Sequence, residues 1–317
     1  MDDIMDDEIP TSFEKPASSE EFRNWGELPH DVLCHIFQKL GAIDILFRAQ
    51  SVCSMWRKVS KEPLLFRSID TRDRWDLLED YDMEKIAREA VDRSCGQLVE
   101  FSMEYFGSDE LLTYIADKCG SLRYLRLVSC DKVSDDALIN VAKKAFMLEE
   151  LEICHCSFTE DMIKTVGKAC PQLTSFRLNC RGFRLPHLES DEEALAIAEN
   201  MPQLRHHLFG NKLTNVGLSA ILDGCLHLES IDLRQCFNVN LEGDLLKSCG
   251  DRLIIVRLPN DSTDDYEFDD AMDESSEYSY YSDLDYDNEL DYYDYPHSEY
   301  RIDDKDKYYY DYPHYRE

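Results

Sequence analysis

Cys154, His155 and Cys156 stand in a row, and their side chains are those of a soft-metal site or of a nucleophile beside its base. Zinc takes four ligands, usually as two spaced pairs, and no second Cys/His pair lies nearby in sequence. A thiol enzyme needs a low-pKa cysteine held against a histidine, which adjacency in sequence does not provide. No glycine-rich phosphate loop or zinc-hydrolase motif occurs. The expectation is a chain without catalytic residues, metal or cofactor, acting by recognition. The polar candidates for that work are Tyr124, Arg126, Glu150, Glu152, Ser175, Arg177, Asp232, Arg234 and Arg257. They alternate with apolar residues in short segments, so something regular must position them.

That regularity is an internal repeat. "CGSLRYLRLVSC", "FMLEELEICHC" and "CLHLESIDLRQC" share the pattern L-x-x-L-x-(L/I)-x-x-C, with Leu228 followed by Ile231 and Leu233 in the third. Weaker copies begin at Leu98, Leu173, Leu204 and Leu253. The seven leading leucines are spaced by 24, 26, 25, 31, 24 and 25 residues, which fits one short strand and one helix per unit. Alternate residues such as Leu125 and Leu127 point inward from a strand. "SDDALINVAKKA" opens on Ser134 as a helix cap and gathers Leu138, Val141 and Ala142 on one face. One unit cannot bury both faces, so units stack. The cysteine after each strand, Cys130, Cys156 or Cys236, fills a tight inward position and explains Cys156 without a metal. On these residues the stretch from about 95 to 258 resembles the cysteine-containing leucine-rich repeat, a strand–helix solenoid. In such folds the inner face is the usual binding surface. Arg126, Glu152 and Arg177 then alternate in sign across adjacent strands. They form either a polar surface for a target protein or a ladder of opposite charges supporting the sheet.

Two units depart from the pattern. The unit from Leu173 to Leu204 is about six residues longer than its neighbours, with the excess assigned to a loop in "RGFRLPHLESDEE". The unit "LRHHLFGNKL" is one residue short. Counting from Leu204 puts His207 and Phe209 inside; counting back from Asn211 puts His206 and Leu208 inside. Either way a histidine takes an apolar place.

Ahead of the repeats, "LPHDVLCHIFQKL" predicts an amphipathic helix with Val32, Leu33, Ile36, Phe37 and Leu40 in one stripe. Pro29 suits its first helical position and Gly41 its end. Asp44 is expected to cap a second helix carrying Ile45, Leu46 and Ala49. A third carries Val52, Cys53 and Trp56. About 40 residues with three apolar faces cannot bury themselves well, so they pack on the repeats or on another protein. The set Leu28-Pro29, the aliphatic first helix, Val52-Cys53 and Trp56-Arg57 resembles the F-box, with Leu65-Phe66 where many members have Leu-Trp. The following helical stretch, Asp82 to Phe101, is similar to plant F-box/leucine-rich-repeat proteins. The expected organisation is an acidic disordered segment (1–23), an F-box of three helices (24–70), a linker helix (71–94), the repeats (95–260) and an acidic tail (261–317).

The resemblance implies a substrate-recognition subunit of an SCF-type ubiquitin ligase. Leu28, Pro29, Val32, Leu33, Ile36, Phe37, Leu40, Val52, Cys53 and Trp56 would meet a Skp-type adaptor, and through it a cullin and a RING subunit. The nine polar strand residues would meet the target protein. A non-ligase scaffold, with the helices only capping the repeats, and an acidic chaperone for basic proteins are the alternatives.

Charge patterning agrees with a protein partner. The net charge is -32 over 317 residues. Residues 261–317 hold 21 acidic against 4 basic residues, and residues 1–24 hold 8 against 2. This excludes nonspecific nucleic-acid binding, which needs clustered cations. No apolar run approaches the length that crosses a bilayer, and the acidic start lacks signal-peptide features. A soluble protein of the cytoplasm and/or nucleus with reduced cysteines is expected. Beyond residue 260 lie 14 of the 18 tyrosines, with almost no aliphatic residue, so disorder is expected there.

Overall fold

The first helix, α1 (His30–Leu40), begins with the Leu33 N–H donating to the Pro29 carbonyl at 3.0 Å. Pro29 is thus the cap rather than the first helical residue. Gly41, at φ 82, stops the helix and donates to the Phe37 carbonyl at 3.2 Å. α2 (Ala42–Phe47) starts directly from Gly41, so Asp44 lies inside its first turn instead of capping it. The Asp44 carboxylate pairs with Arg48 at 3.2 Å and with Arg74. A 3-10 turn (Ala49–Ser51) leads to α3 (Ser54–Val59), whose cap is the Cys53 sulfur, accepting from the Trp56 N–H at 3.5 Å. Leu33, Phe37, Ile45 and Val59 are buried between these elements, and Phe37 meets Trp56 edge to face at 5.2 Å.

This computed structural model describes residues 25, 28–72, 74, 77, 81–156, 158–179, 189–207 and 212–265. They belong to the first of two units, Met1–Tyr266; the second, Glu267–Glu317, lies outside them. The disorder expected for residues 1–23 and for most of the tail, and most of the loop expected after Asn179, therefore fall outside the described residues.

After a 3-10 turn (Pro63–Phe66) the chain alternates strand and helix: β1 (Ser68–Asp70), α4 (Met83–Arg93), β2 (Glu100–Glu104), α5 (Asp109–Lys118), β3 (Tyr124–Val128), α6 (Asp135–Lys144), β4 (Glu150–Cys154), α7 (Glu160–Ala169), β5 (Ser175–Asn179), α8 (Glu192–Asn200), β6 (His206–His207), α9 (Asn215–Gly224), β7 (Ser230–Asp232), α10 (Gly243–Arg252) and β8 (Ile255–Arg257). The strands form one parallel sheet in chain order. All seven leading leucines are buried, as are Leu125, Leu127, Leu138 and Val141, in one continuous core of strand and helix residues. Each such side chain contributes about 1.5–3 kcal/mol by leaving water.

The stacking is also polar. Ser134 caps α6, accepting from the Ala137 N–H at 3.3 Å, while its own N–H and hydroxyl both donate to Asp109 of the preceding unit at 2.7 Å. Asp135 receives Thr159 in the same way, and Asp191 receives the Thr214 N–H at 2.7 Å and hydroxyl at 2.8 Å. The acidic residue opening one helix thus holds the cap of the next. Asp191 also accepts from the Gly217 N–H at 3.0 Å, and a methyl group on Gly217 would overlap that carboxylate.

β6 resolves the short unit. His207 pairs in register with Phe176 and Ile231, points into the core and is buried, while His206 is exposed, so the count from Leu204 is the correct one. Its Nδ1 meets the Phe176 carbonyl at 2.6 Å and its ring stacks on Phe176 at 5.8 Å. Burial pushes the imidazole pKa down to about 3, against the opposing pull of that hydrogen bond.

The helical module does not hang on a free linker. β1 adds its end to the sheet, inside the range assigned to the F-box from sequence. α4 packs on α2 and on the Pro63–Phe66 turn. Arg93 of α4 lies over the Phe66 ring at 5.7 Å and donates to the Ser60 carbonyl at 3.3 Å and to Gln50 Oε1 at 3.0 Å. The first of the two destinations foreseen for the apolar faces, the repeats, is therefore occupied.

Candidate protein-interaction surfaces

The stripe on α1 is wider than the core it meets. Leu33 and Phe37 form its inner edge and are 0% exposed. They support the surface from beneath and cannot touch a partner, which corrects their placement among the contact residues. The outer edge stays in water: Val32 is 42% exposed, Leu40 39%, and Pro29 is exposed too. Leu28, Ile36, Cys53 and Trp56 are half-buried. Val52, between the 3-10 turn and α3, is 59% exposed. Trp25 was not foreseen. Its carbonyl accepts from Trp56 Nε1 at 3.2 Å, and it is exposed. Its position three residues before Leu28 was the available signal.

The polar face of the sheet behaves differently. Arg126, Glu152 and Arg177 stand in register on β3, β4 and β5. Arg126 Nε lies 3.4 Å from Glu152 Oε1, Arg126 Nη1 donates to Ser102 Oγ at 3.3 Å, and Arg177 Nη1 lies 3.6 Å from Glu152 Oε2. The Tyr124 hydroxyl donates to Glu152 Oε2 at 3.2 Å, and burial together with that carboxylate raises the phenol pKa. Arg126 is only 1% exposed, and Glu152, Ser175 and Arg234 are also buried. The expectation that these four present themselves to a partner is thus corrected. Parallel strands lie under 5 Å apart, so long side chains in register roof over one another. Glu150 and Arg177 are exposed, and Tyr124, Asp232 and Arg257 are partly so. His206, in line with Glu150 and Ser175, joins the accessible set.

A second ionic cluster closes the far end of the sheet. The Arg234 guanidinium donates to Asp232 at 2.6 and 3.0 Å, to the Ser262 carbonyl at 2.9 Å and to Asp265 Oδ1 at 2.5 Å. Arg257 Nη1 reaches Asp265 Oδ2 at 2.5 Å. Residues 261–265 are therefore held against the repeats, so the boundary drawn at residue 260 falls short. The first strand repeats this arrangement locally. "SIDTR" and "SIDLR" both fold the arginine back on the aspartate two residues earlier. Burial opposes ionisation of Asp70, yet the Arg72 hydrogen bonds outweigh it and hold the carboxyl below its usual range.

Cys154 and Cys156 point to opposite faces. The Cys154 thiol meets Glu152 Oε1 at 3.6 Å on the polar side, whereas Cys156 packs on the core and accepts from the Cys130 N–H at 3.4 Å. His155 between them turns through φ 53.

A helical module with one seated and one open apolar edge, continuous with strand–helix repeats led by buried leucines, defines a class: an F-box joined to leucine-rich repeats. The F-box-like family model matches residues 25–72. "F-box protein SKIP19" of Arabidopsis thaliana is 46% identical over 270 residues, covering 84% of this chain and 88% of that protein. "Putative F-box/LRR-repeat protein 23" of the same plant is 46% identical over 248 residues, 77% of this chain and 55% of that protein. "Putative F-box/LRR-repeat protein 22", also from that plant, is 44% identical over 283 residues, 85% of this chain and 89% of that protein. The chain belongs to the F-box/LRR-repeat family.

Proposed function

We propose that this chain is the substrate-recognition subunit of an SCF-type ubiquitin ligase, working in the cytoplasm and/or nucleus. Its F-box docks a Skp-type adaptor, which brings the cullin and RING subunits, and its repeats hold the target protein. The observation that carries this reading is the open edge of α1, with Pro29, Val32 and Leu40 in water, as Val52 is ahead of α3, while Leu33 and Phe37 are seated in the core. Apolar groups gathered on one edge of a folded module, rather than scattered singly, mark an interaction site. The target contacts proposed are the accessible strand residues Tyr124, Glu150, Arg177, Asp232 and Arg257. The buried Arg126, Glu152, Ser175 and Arg234 position them. The chain contributes binding rather than bond chemistry to the ligase.

The test is calorimetry of the whole chain against a recombinant plant Skp-type adaptor. Anchors of this kind lose about 2 kcal/mol or more each on truncation. Leu40→Ala with Val52→Ala should therefore weaken binding roughly a thousandfold, since 1.4 kcal/mol is about tenfold. Equal affinity of wild type and double variant would leave the helices as a cap on the repeats.

A further inference from the structure

In a chain of net charge -32, residues 28–67 hold 6 Lys/Arg against 3 Asp/Glu, a net of +3; the rest of the chain therefore carries -35. Of the three acids, Asp44 is already matched by Arg48 and Arg74, and Glu62 lies 3.5 Å from His30 Nε2. Lys39, Arg57, Lys58, Lys61 and Arg67 are exposed, and among the described residues none of them lies within ion-pair distance of a carboxylate. Their placement follows the helices. Lys39 is seven residues, two turns, from Val32 and so shares the outer edge of α1. α3 turns Trp56 and Val59 inward and sends Arg57 and Lys58 outward, with Lys61 one turn beyond. Arg57 Nε donates to the Gln50 carbonyl at 3.2 Å, which holds that cation beside the turn ending at Val52. Among the described residues, the acids elsewhere in the chain leave these cations unpaired.

We infer that the partner of the helical module presents an acidic surface around an apolar centre, and that Lys39, Lys58 and Lys61 steer it onto the open edge. This rests on the adaptor reading and adds the chemistry of the adaptor's face. A protein fits better than a nucleic acid. Lys39 shares an edge with exposed Val32, and Arg57 is held beside the turn that ends at exposed Val52, next to apolar groups that phosphates cannot fill. Unpaired charges at the rim of an interface act chiefly on the association rate, whereas apolar anchors act on dissociation.

The experiment measures association and dissociation rates of the full chain with a recombinant plant Skp-type adaptor, at low ionic strength and at about 1 M salt, where screening shortens to about 3 Å. Lys39→Gln, Lys58→Gln and Lys61→Gln together should slow association about tenfold or more at low salt, leave dissociation nearly unchanged, and match wild type at high salt. Circular dichroism should be unaffected, because all three residues are exposed. An association rate indifferent to salt and to the triple substitution overturns the inference and leaves the adaptor reading standing. No adaptor binding by the wild type at either salt overturns both. Binding of duplex DNA that the same substitutions abolish would assign the cations to phosphate and also overturn it.

Discussion

In the F-box, apolar side chains stand in water; in the sheet, charged side chains are buried. Val32 and Val52 are half exposed or nearly so on a module of about 40 residues, while Arg126 is covered to 1% in the middle of an eight-stranded sheet. The difference follows from what each group can tolerate. An exposed valine costs little in water and gains only when a partner covers it. A buried guanidinium is tolerated only with partners at hand, and Glu152, Glu104 and Ser102 are within reach. The helical module thus leaves apolar side chains for the proposed adaptor to cover, and the charged centre of the sheet is completed by its own chain.

The contrast can be broken most severely at Arg126. Arg126→Ala leaves Glu152 covered without its buried cation and should cost about 3–5 kcal/mol in denaturant unfolding. Arg126→Met with Glu152→Leu should restore most of that loss, since an apolar pair of similar volume avoids the uncompensated charge. If the single substitution were harmless, the charge would be solvated and the contrast would fail.

Within α1 the contrast separates neighbours. Leu33→Ala should lose about 2–5 kcal/mol because it opens a cavity in the module. Val32→Ala, one residue earlier, should change stability by less than about 0.5 kcal/mol and act on adaptor binding alone. Thermal unfolding beside calorimetry reads both; equal destabilisation would mean the outer edge is not open.

His207 is the polar group placed on the apolar side of the sheet, and pH tests it. Its folded-state pKa, about 3, lies below the ordinary 6.5. The unfolded chain therefore binds a proton first. Stability is intact above about pH 6.5 and falls as pH drops from there toward about 3, by roughly 1.4 kcal/mol per unit. Between pH 7 and pH 5 the loss should be about 2 kcal/mol. His207→Leu should remove that slope, while the carboxylate contribution of Asp70, below its own ordinary value, remains. An unchanged slope in the variant would place the imidazole in solvent.

The smallest expected effect is at the far end of the repeats. Cutting after Asp265 should leave the melting temperature of the repeats unchanged. Cutting after Asn260 removes Ser262 and Asp265 from Arg234 and should lower it slightly, less than Arg126→Ala does. Identical melting of the two truncations would make residues 261–265 dispensable.

Much of this was legible in the residues. The leading leucines, 24 to 31 residues apart, each fall two residues before a strand from β2 to β8, and Ser134 announces its helix. Pro29, Gly41 and the Val52-Cys53 and Trp56-Arg57 pairs mark the helical module. Less legible was the chemistry between units. Asp109 and Ser134, or Asp191 and Thr214, sit 25 and 23 residues apart, and no local pattern says that one holds the other. β1 escaped notice because three residues are too few for alternation to register.

Where the repeat register is unbroken, sequence by itself determined which side of each element a residue occupies, because the helix and strand periods are properties of the local chain. Leu125 inward and Arg126 on the opposite face follow from that alone; at His206 and His207 two counts stayed open until β6 chose between them. Tertiary structure decided whether the opposite face is water. That depends on which side chains neighbouring strands bring alongside, and on how much of a stripe the next helix covers. So Arg126 and Val32, both outward by period, end with opposite fates: one is roofed over by Glu152 and its neighbours, and the other waits at an edge that no part of the described chain reaches.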